Sequence, residues 1–202
     1  MIPNRLKKCS LVFLPVFFAT TFLVSARLWA ASPTESVKNT VDQVLKILHN
    51  PNLKGDARKT ERRKQLRQVI LRRFDMPEIA KRSLGAHWRQ NREKQQEFVS
   101  AFTGFLQESY VGSIESYADE KILFNRERMD KEIAQVETRI VRSKRNDVLM
   151  NYRLHRVGKE WKVYDVLVEN VSLVNNFRSQ FDRILATESV DSLIKRLQAK
   201  KL

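Results

Sequence analysis

Apolar residues between positions 34 and 48 fall at Val37, Val41, Val44, Leu45, Ile47 and Leu48. This three-and-four spacing marks one face of a helix, with Thr34 or Ser36 placed to cap its start. Asn50-Pro51 stops the helix, because a residue before proline is driven out of the helical region. From Lys54 to Arg73 there are nine basic and two acidic residues, with Leu66, Val69, Ile70 and Phe74 at helical spacing among them. The pattern predicts a helix with a basic outer face, which is either simply solvated or a docking patch for an acidic partner. Asp75-Met-Pro-Glu78 then carries an N-cap, an early proline and an acidic third residue, predicting a capping box and a short helix that Gly85 ends. The longest helix is expected from about Arg92 to Tyr117, where Phe98, Phe102, Phe105, Leu106, Tyr110, Ile114 and Tyr117 recur every three or four residues.

The period then shortens to two. Lys121–Phe124 reads as a short strand; Ala134, Val136, Thr138 and Ile140 alternate with polar residues, as do Val148, Met150, Tyr152 and Leu154, and Trp161 to Val168 alternates less cleanly. The polar run 143–147 and Gly158 predict hairpin connections, hence an antiparallel meander with one apolar face and one wet face. Asn170 or Ser172 opens a helix bearing Leu173, Val174, Phe177, Phe181, Ile184 and Leu185, and Ser189 starts a last one through Leu197. Helices, then strands, then helices give an α+β domain with both helical groups on one face of the sheet.

Residues 1–30 stand apart from this pattern. Arg5, Lys7 and Lys8 precede an apolar run from Leu11 to Val24 that ends at Ser25 and Ala26, the order of a secretory signal peptide cleaved after Ala26 or Ala30. The run is short of the roughly 20 residues that span a bilayer. The expected organisation is therefore a signal peptide over 1–30 that exports the chain, and a single domain over 31–202. Cys9 falls in the removed part and no lipoprotein acylation pattern sits at the cleavage point, so stability must come from packing alone. The chain carries 38 Lys+Arg against 23 Asp+Glu, net +15. On an exported protein such a surface suits anionic lipid, lipid head groups or acidic proteins rather than nucleic acid.

Catalytic patterns do not emerge. His49, His87 and His155 are too scattered to predict a metal site, no Gly-x-Ser-x-Gly elbow occurs, and there is no phosphate loop or dinucleotide fingerprint, so neither enzyme chemistry nor a cofactor is expected. Asp165 alone invites a question, as a carboxylate in an apolar strand. It is either a general base or a residue that orders the sheet-to-helix junction by pairing with an arginine or backbone N–H groups. The chain is unusually rich in large apolar side chains aimed at one space: Phe98, Phe102, Leu106 and Tyr110 from the long helix, Val136, Ile140, Met150, Tyr152 and Leu154 from the sheet, and Leu173, Phe177 and Phe181 from the end. Core and cavity use the same residue types, so periodicity does not separate them.

Several segments in order resemble the MlaC family: Arg73-Phe-Asp-Met-Pro-Glu-Ile-Ala80, Ser83-Leu-Gly-Ala-His-Trp-Arg89, Phe98 to Leu106, Ile114-Glu-Ser-Tyr117 and, above all, Trp161 to Phe181. Asn170 stands where the family usually has Gly, and Phe177 where Tyr is common. The resemblance covers about residues 35–200 and implies that helices close over a curved sheet around an apolar lipid pocket. It further implies a periplasmic carrier of phospholipid between an outer-membrane lipoprotein–porin complex and an inner-membrane ABC transporter with its substrate-binding ring. On that reading Phe98, Phe102, Leu106, Tyr110, Val136, Ile140, Met150, Tyr152, Leu154, Tyr164, Val166, Leu173 and Phe177 are the expected lipid contacts. Tyr110, Tyr152 and Tyr164 would bring hydroxyls to the mouth, and Arg82, Arg89 and Arg153 are the expected docking charges. A carrier of another lipid such as a hopanoid, and a basic adaptor with a filled core, are the alternatives.

Overall fold

The computed structural model describes residues 31–117, 120–142 and 146–202; the expected signal peptide and part of the 143–147 connection lie outside them. Helix α1 (Pro33–Leu48) starts earlier than Thr34 or Ser36 as caps would allow. Ser32 is the cap: its hydroxyl accepts the Glu35 N–H at 3.1 Å while Glu35 accepts the Ser32 N–H at 2.8 Å, a reciprocal box with Pro33 in the first turn. Two single 3-10 turns lead into α2 (Lys59–Arg73). Asp75 caps α3 (Met76–Leu84) as expected, accepting the Glu78 N–H at 3.1 Å. The Glu78 carboxylate binds Arg82 at 2.8 Å and Lys81 at 3.1 Å instead of returning to the cap. One turn, α4 (His87–Gln90), precedes the long α5 (Gln95–Glu115).

Five strands follow as an antiparallel sheet in sequence order: β1 (Lys121–Asp130), β2 (Ile133–Val141), β3 (Val148–Val157), β4 (Glu160–Val168) and the two-residue β5 (Val171–Ser172). Strand β1 runs well past Phe124 because its second half is an exposed edge whose pairing with β2 needs no apolar side chains. A bulge between Phe124 and Arg126 brings Glu127 opposite the fully buried Val136, and its carboxylate accepts the Thr34 N–H at 2.8 Å, at the positive end of α1. Helices α6 (Leu173–Leu185) and α7 (Val190–Gln198) complete the α+β domain, capped by Ser172 and Ser189.

Two apolar clusters hold it together. The larger joins α3, α5, α6 and α7 around Phe98, Phe102, Phe177 and Phe181, whose rings meet edge-to-face or offset at centroid distances of 5.0–5.7 Å. The smaller lays Val37 of α1 on Ala134, Val136, Leu154, Trp161 and Val163 of the sheet. Glu169 and Asn170, at φ 48° and 65°, make the tight turn from β4 to β5, the left-handed geometry that glycine or asparagine best tolerates.

Candidate functional site

A cavity of about 310 Å³ borders both clusters. Helix α1 contributes Val37, Val41, Val44 and Leu45; α2 contributes Ile70 and Leu71; α5 contributes Leu106, Tyr110, Val111 and Ile114; the sheet contributes Ile122, Ile140, Met150, Tyr152, Val163, Val166 and Val168; and Leu173 closes it from α6. Among the described residues, the charged ones in its wall are both arginines, Arg67 and Arg73 of α2. Leu71, Tyr110 and Val168 are each about 40% exposed and mark where the cavity opens.

Of the expected lipid contacts, Leu106, Tyr110, Ile140, Met150, Tyr152, Val166 and Leu173 line this cavity. Phe98, Phe102 and Phe177 pack instead in the aromatic cluster, and Val136 and Leu154 in the α1–sheet cluster. Tyr164 turns away from the cavity, under the Arg82 guanidinium at 4.2 Å and edge-on to His155. A bulge in β3–β4 explains it: Arg153 pairs with Asp165 and Leu154 with Val163, so Tyr164 is the extra residue between. The wall provided by α1 and α2 escaped the sequence reading, since an amphipathic stripe looks the same over a core or a void. One signal was present in α5, whose stripe passes from Phe98 and Phe102 to Tyr110, with Tyr117 just beyond its end, from residues that fill a core to residues that tolerate a wet edge.

Several polar groups of the wall are engaged within the protein. The Arg73 Nε donates to Thr40 Oγ1 at 3.0 Å and its Nη1 to the Trp161 carbonyl, so its donors serve the wall; burial lowers its pKa, with Glu160 opposing. The Tyr152 hydroxyl lies deep in the protein, donates to the Met150 sulfur at 3.0 Å, and is pushed well above the ordinary phenol pKa by burial, then by Tyr117. Tyr110 is raised by burial as well. Along one side, α2 is tied to α5 by charge. Glu115 accepts from Arg62 and Arg63 at 2.8 Å each, and Glu108 pairs with Arg67 and, at 3.5 Å, with Lys200. Arg62 and Arg63 of the basic helix are therefore turned toward α5.

Asp165 does not face the cavity. Its carboxylate accepts the Ser172 hydroxyl at 2.7 Å, the Val174 N–H at 3.1 Å and Arg153 at 3.3 Å, which fastens β4 to the start of α6. Of the expected docking charges, Arg153 is held by Asp165 and Arg82 by Glu78, whereas Arg89 is exposed on α4. Among the described residues no cluster of three or more His, Cys, Asp or Glu could hold a metal.

Helices roofing a curved antiparallel sheet around an apolar, arginine-edged pocket define a binding-protein fold. The family model for the MlaC protein matches residues 38–199, and the chain belongs to the MlaC family. Similar proteins include the intermembrane phospholipid transport system binding protein MlaC of Haemophilus influenzae, 23% identical over 189 residues that cover 90% of this chain and 88% of that one. A solved structure of the phospholipid-binding protein from Ralstonia solanacearum, in complex with a phospholipid, is 25% identical with a TM-score of 0.74, covering 85% of this chain and 97% of the other.

Proposed function

We propose that this protein is a periplasmic phospholipid carrier that takes lipid from one membrane complex and delivers it to another, maintaining outer-membrane lipid asymmetry. The observation that carries the reading is the apolar cavity, walled from α1, α2, α5, α6 and the sheet, with arginine as the only charged residue type among the described residues that line it. Such a wall suits acyl chains, which need flexible, non-directional contacts, and Met150 and the leucines supply them. Two chains of about 14 methylenes each oppose exposure to water by ~20 kcal/mol, so spontaneous escape is negligible. Lipid therefore leaves while the carrier is docked, by direct transfer to an outer-membrane lipoprotein–porin complex or an inner-membrane ABC transporter with its substrate-binding ring. The basic surface, Arg89 included, would steer those encounters.

Native mass spectrometry of the protein purified from a periplasmic extract without detergent tests this, followed by solvent extraction of the bound mass. Phospholipid is expected. A hopanoid would keep the carrier and change its cargo. A folded protein that is empty, and stays empty after incubation with liposomes, would reject the carrier and leave a basic adaptor.

A further inference from the structure

We propose that Arg67 reads the phosphodiester of the cargo at the mouth of the cavity, exchanging Glu108 for the lipid phosphate as the lipid enters. The inference rests on the carrier reading above and adds to it how a phospholipid is told from an uncharged lipid with the same chains. Arg67 lines the cavity one helical turn from Leu71, itself exposed at the opening, so it stands where acyl chains give way to a head group. The only other charged residue among those described in the wall, Arg73, has Nε and Nη1 committed to Thr40 and the Trp161 carbonyl. Arg67 is committed by half. Its Nη2 pairs with Glu108, but its Nε is buried without a hydrogen-bond partner. Nε and Nη2 form the edge of guanidinium that carboxylates and phosphates occupy in pairs, and Glu108 fills one position of it. A buried donor left unmatched is costly, and a phosphodiester would satisfy both positions.

Glu108 can release Arg67 without being stranded, because Lys200 also reaches it at 3.5 Å. Among the described residues that line the cavity none is a carboxylate that would repel an entering anion. Recognition through the phosphodiester leaves the head-group alcohol unread, so phosphatidylglycerol and phosphatidylethanolamine should be taken alike, while diacylglycerol, which lacks the phosphate, should not.

The test offers lipid-free protein palmitoyl-oleoyl phosphatidylglycerol or the matching diacylglycerol, each delivered from cyclodextrin, and compares the bound fractions. The intact protein is expected to prefer the phospholipid by about tenfold or more, the worth of a charge-assisted pair. Arg67→Gln should bring the two lipids close to parity without lowering diacylglycerol uptake, and Arg67→Lys should keep part of the preference. Glu108→Gln, which leaves the fork free, should raise it. Inorganic phosphate alone should bind weakly, and only with Arg67 in place; phosphate binding that survives Arg67→Gln would put the anion elsewhere and overturn the assignment. An unchanged preference in Arg67→Gln, or no preference in the intact protein, would overturn it too while leaving the carrier standing. An intact protein that takes up neither lipid would instead remove the carrier, and this inference with it. Should Arg67→Gln fail to fold, the intact protein and Glu108→Gln decide the matter between them.

Discussion

Asp165 is 3% exposed and carries three hydrogen bonds at the point where the sheet hands the chain to α6. Replacing it by alanine strands the Ser172 hydroxyl and the Val174 N–H in the interior and leaves Arg153 without its partner. Asp165→Ala should cost about 3 kcal/mol in urea unfolding, and Asp165→Asn less, since the amide oxygen still accepts. A loss below about 1 kcal/mol would mean the junction is held by something else. At this scale the sequence was most informative where chemistry leaves few options. A carboxylate in an apolar strand must be paired, whereas Asn170, offered as one of two helix openers, instead takes a positive φ of 65° in the turn, and Ser172 is the cap. It was least informative where two residues could do the same work. Thr34 and Ser36 are good caps by type, yet Ser32 has both Pro33 and Glu35 at the spacing that closes a box.

At the scale of elements, the contrast between α5 and α2 matters most. Helix α5 packs half its length into the aromatic cluster, whereas α2 meets α5 through Arg62, Arg63 and Arg67 against Glu115 and Glu108. Burial raises the Glu115 pKa, but hydrogen bonds and charge from Arg63 and Arg62 outweigh it, leaving the group below its ordinary 4.5. A depressed folded value means that its contribution is present in full above 4.5 and is lost as the pH falls through the folded pKa. Hydrogen exchange in α2 should therefore quicken as the pH drops below 4.5, after correction for intrinsic rates, and Glu115→Gln should flatten that response. If α2 exchanges identically in both proteins across that range, the seam is not held by this carboxylate. The periodicity of α2 showed a basic helix but not which arginines turn inward, because their partners lie 41–53 residues away in the chain. The second half of β1 was hidden for a related reason: an edge strand is defined by its neighbour, and Arg126 to Asp130 have no apolar alternation of their own.

For the whole molecule, the fold class followed from element order, whereas the location of the cavity did not, because the residues that fill a core and those that wall a void are drawn from one palette. Phe102, wholly buried among three other rings, and Leu106, one turn along on the wall, should separate the two roles. Phe102→Ala should lose about 3–5 kcal/mol of stability. Leu106→Trp should project bulk into open space, leaving stability within about 1 kcal/mol while displacing lipid. Chemical denaturation alongside native mass spectrometry reads both; a Leu106→Trp protein that still carries a full complement of lipid would place the cargo elsewhere.

The cavity lies against two apolar clusters, one among helices and one between α1 and the sheet, with Phe74 packed against both. On the carrier reading proposed above, acyl chains in place would join the two into a single continuous interior, and without them each would loosen with less regard for the other. The cargo would then be a removable part of the protein's own hydrophobic core, and loading would change the cooperativity of the fold as well as what the carrier holds. A receiving complex that withdrew the lipid would also withdraw the material that made the two halves behave as one, so delivery itself would alter the shape-stability of the protein that must next let go.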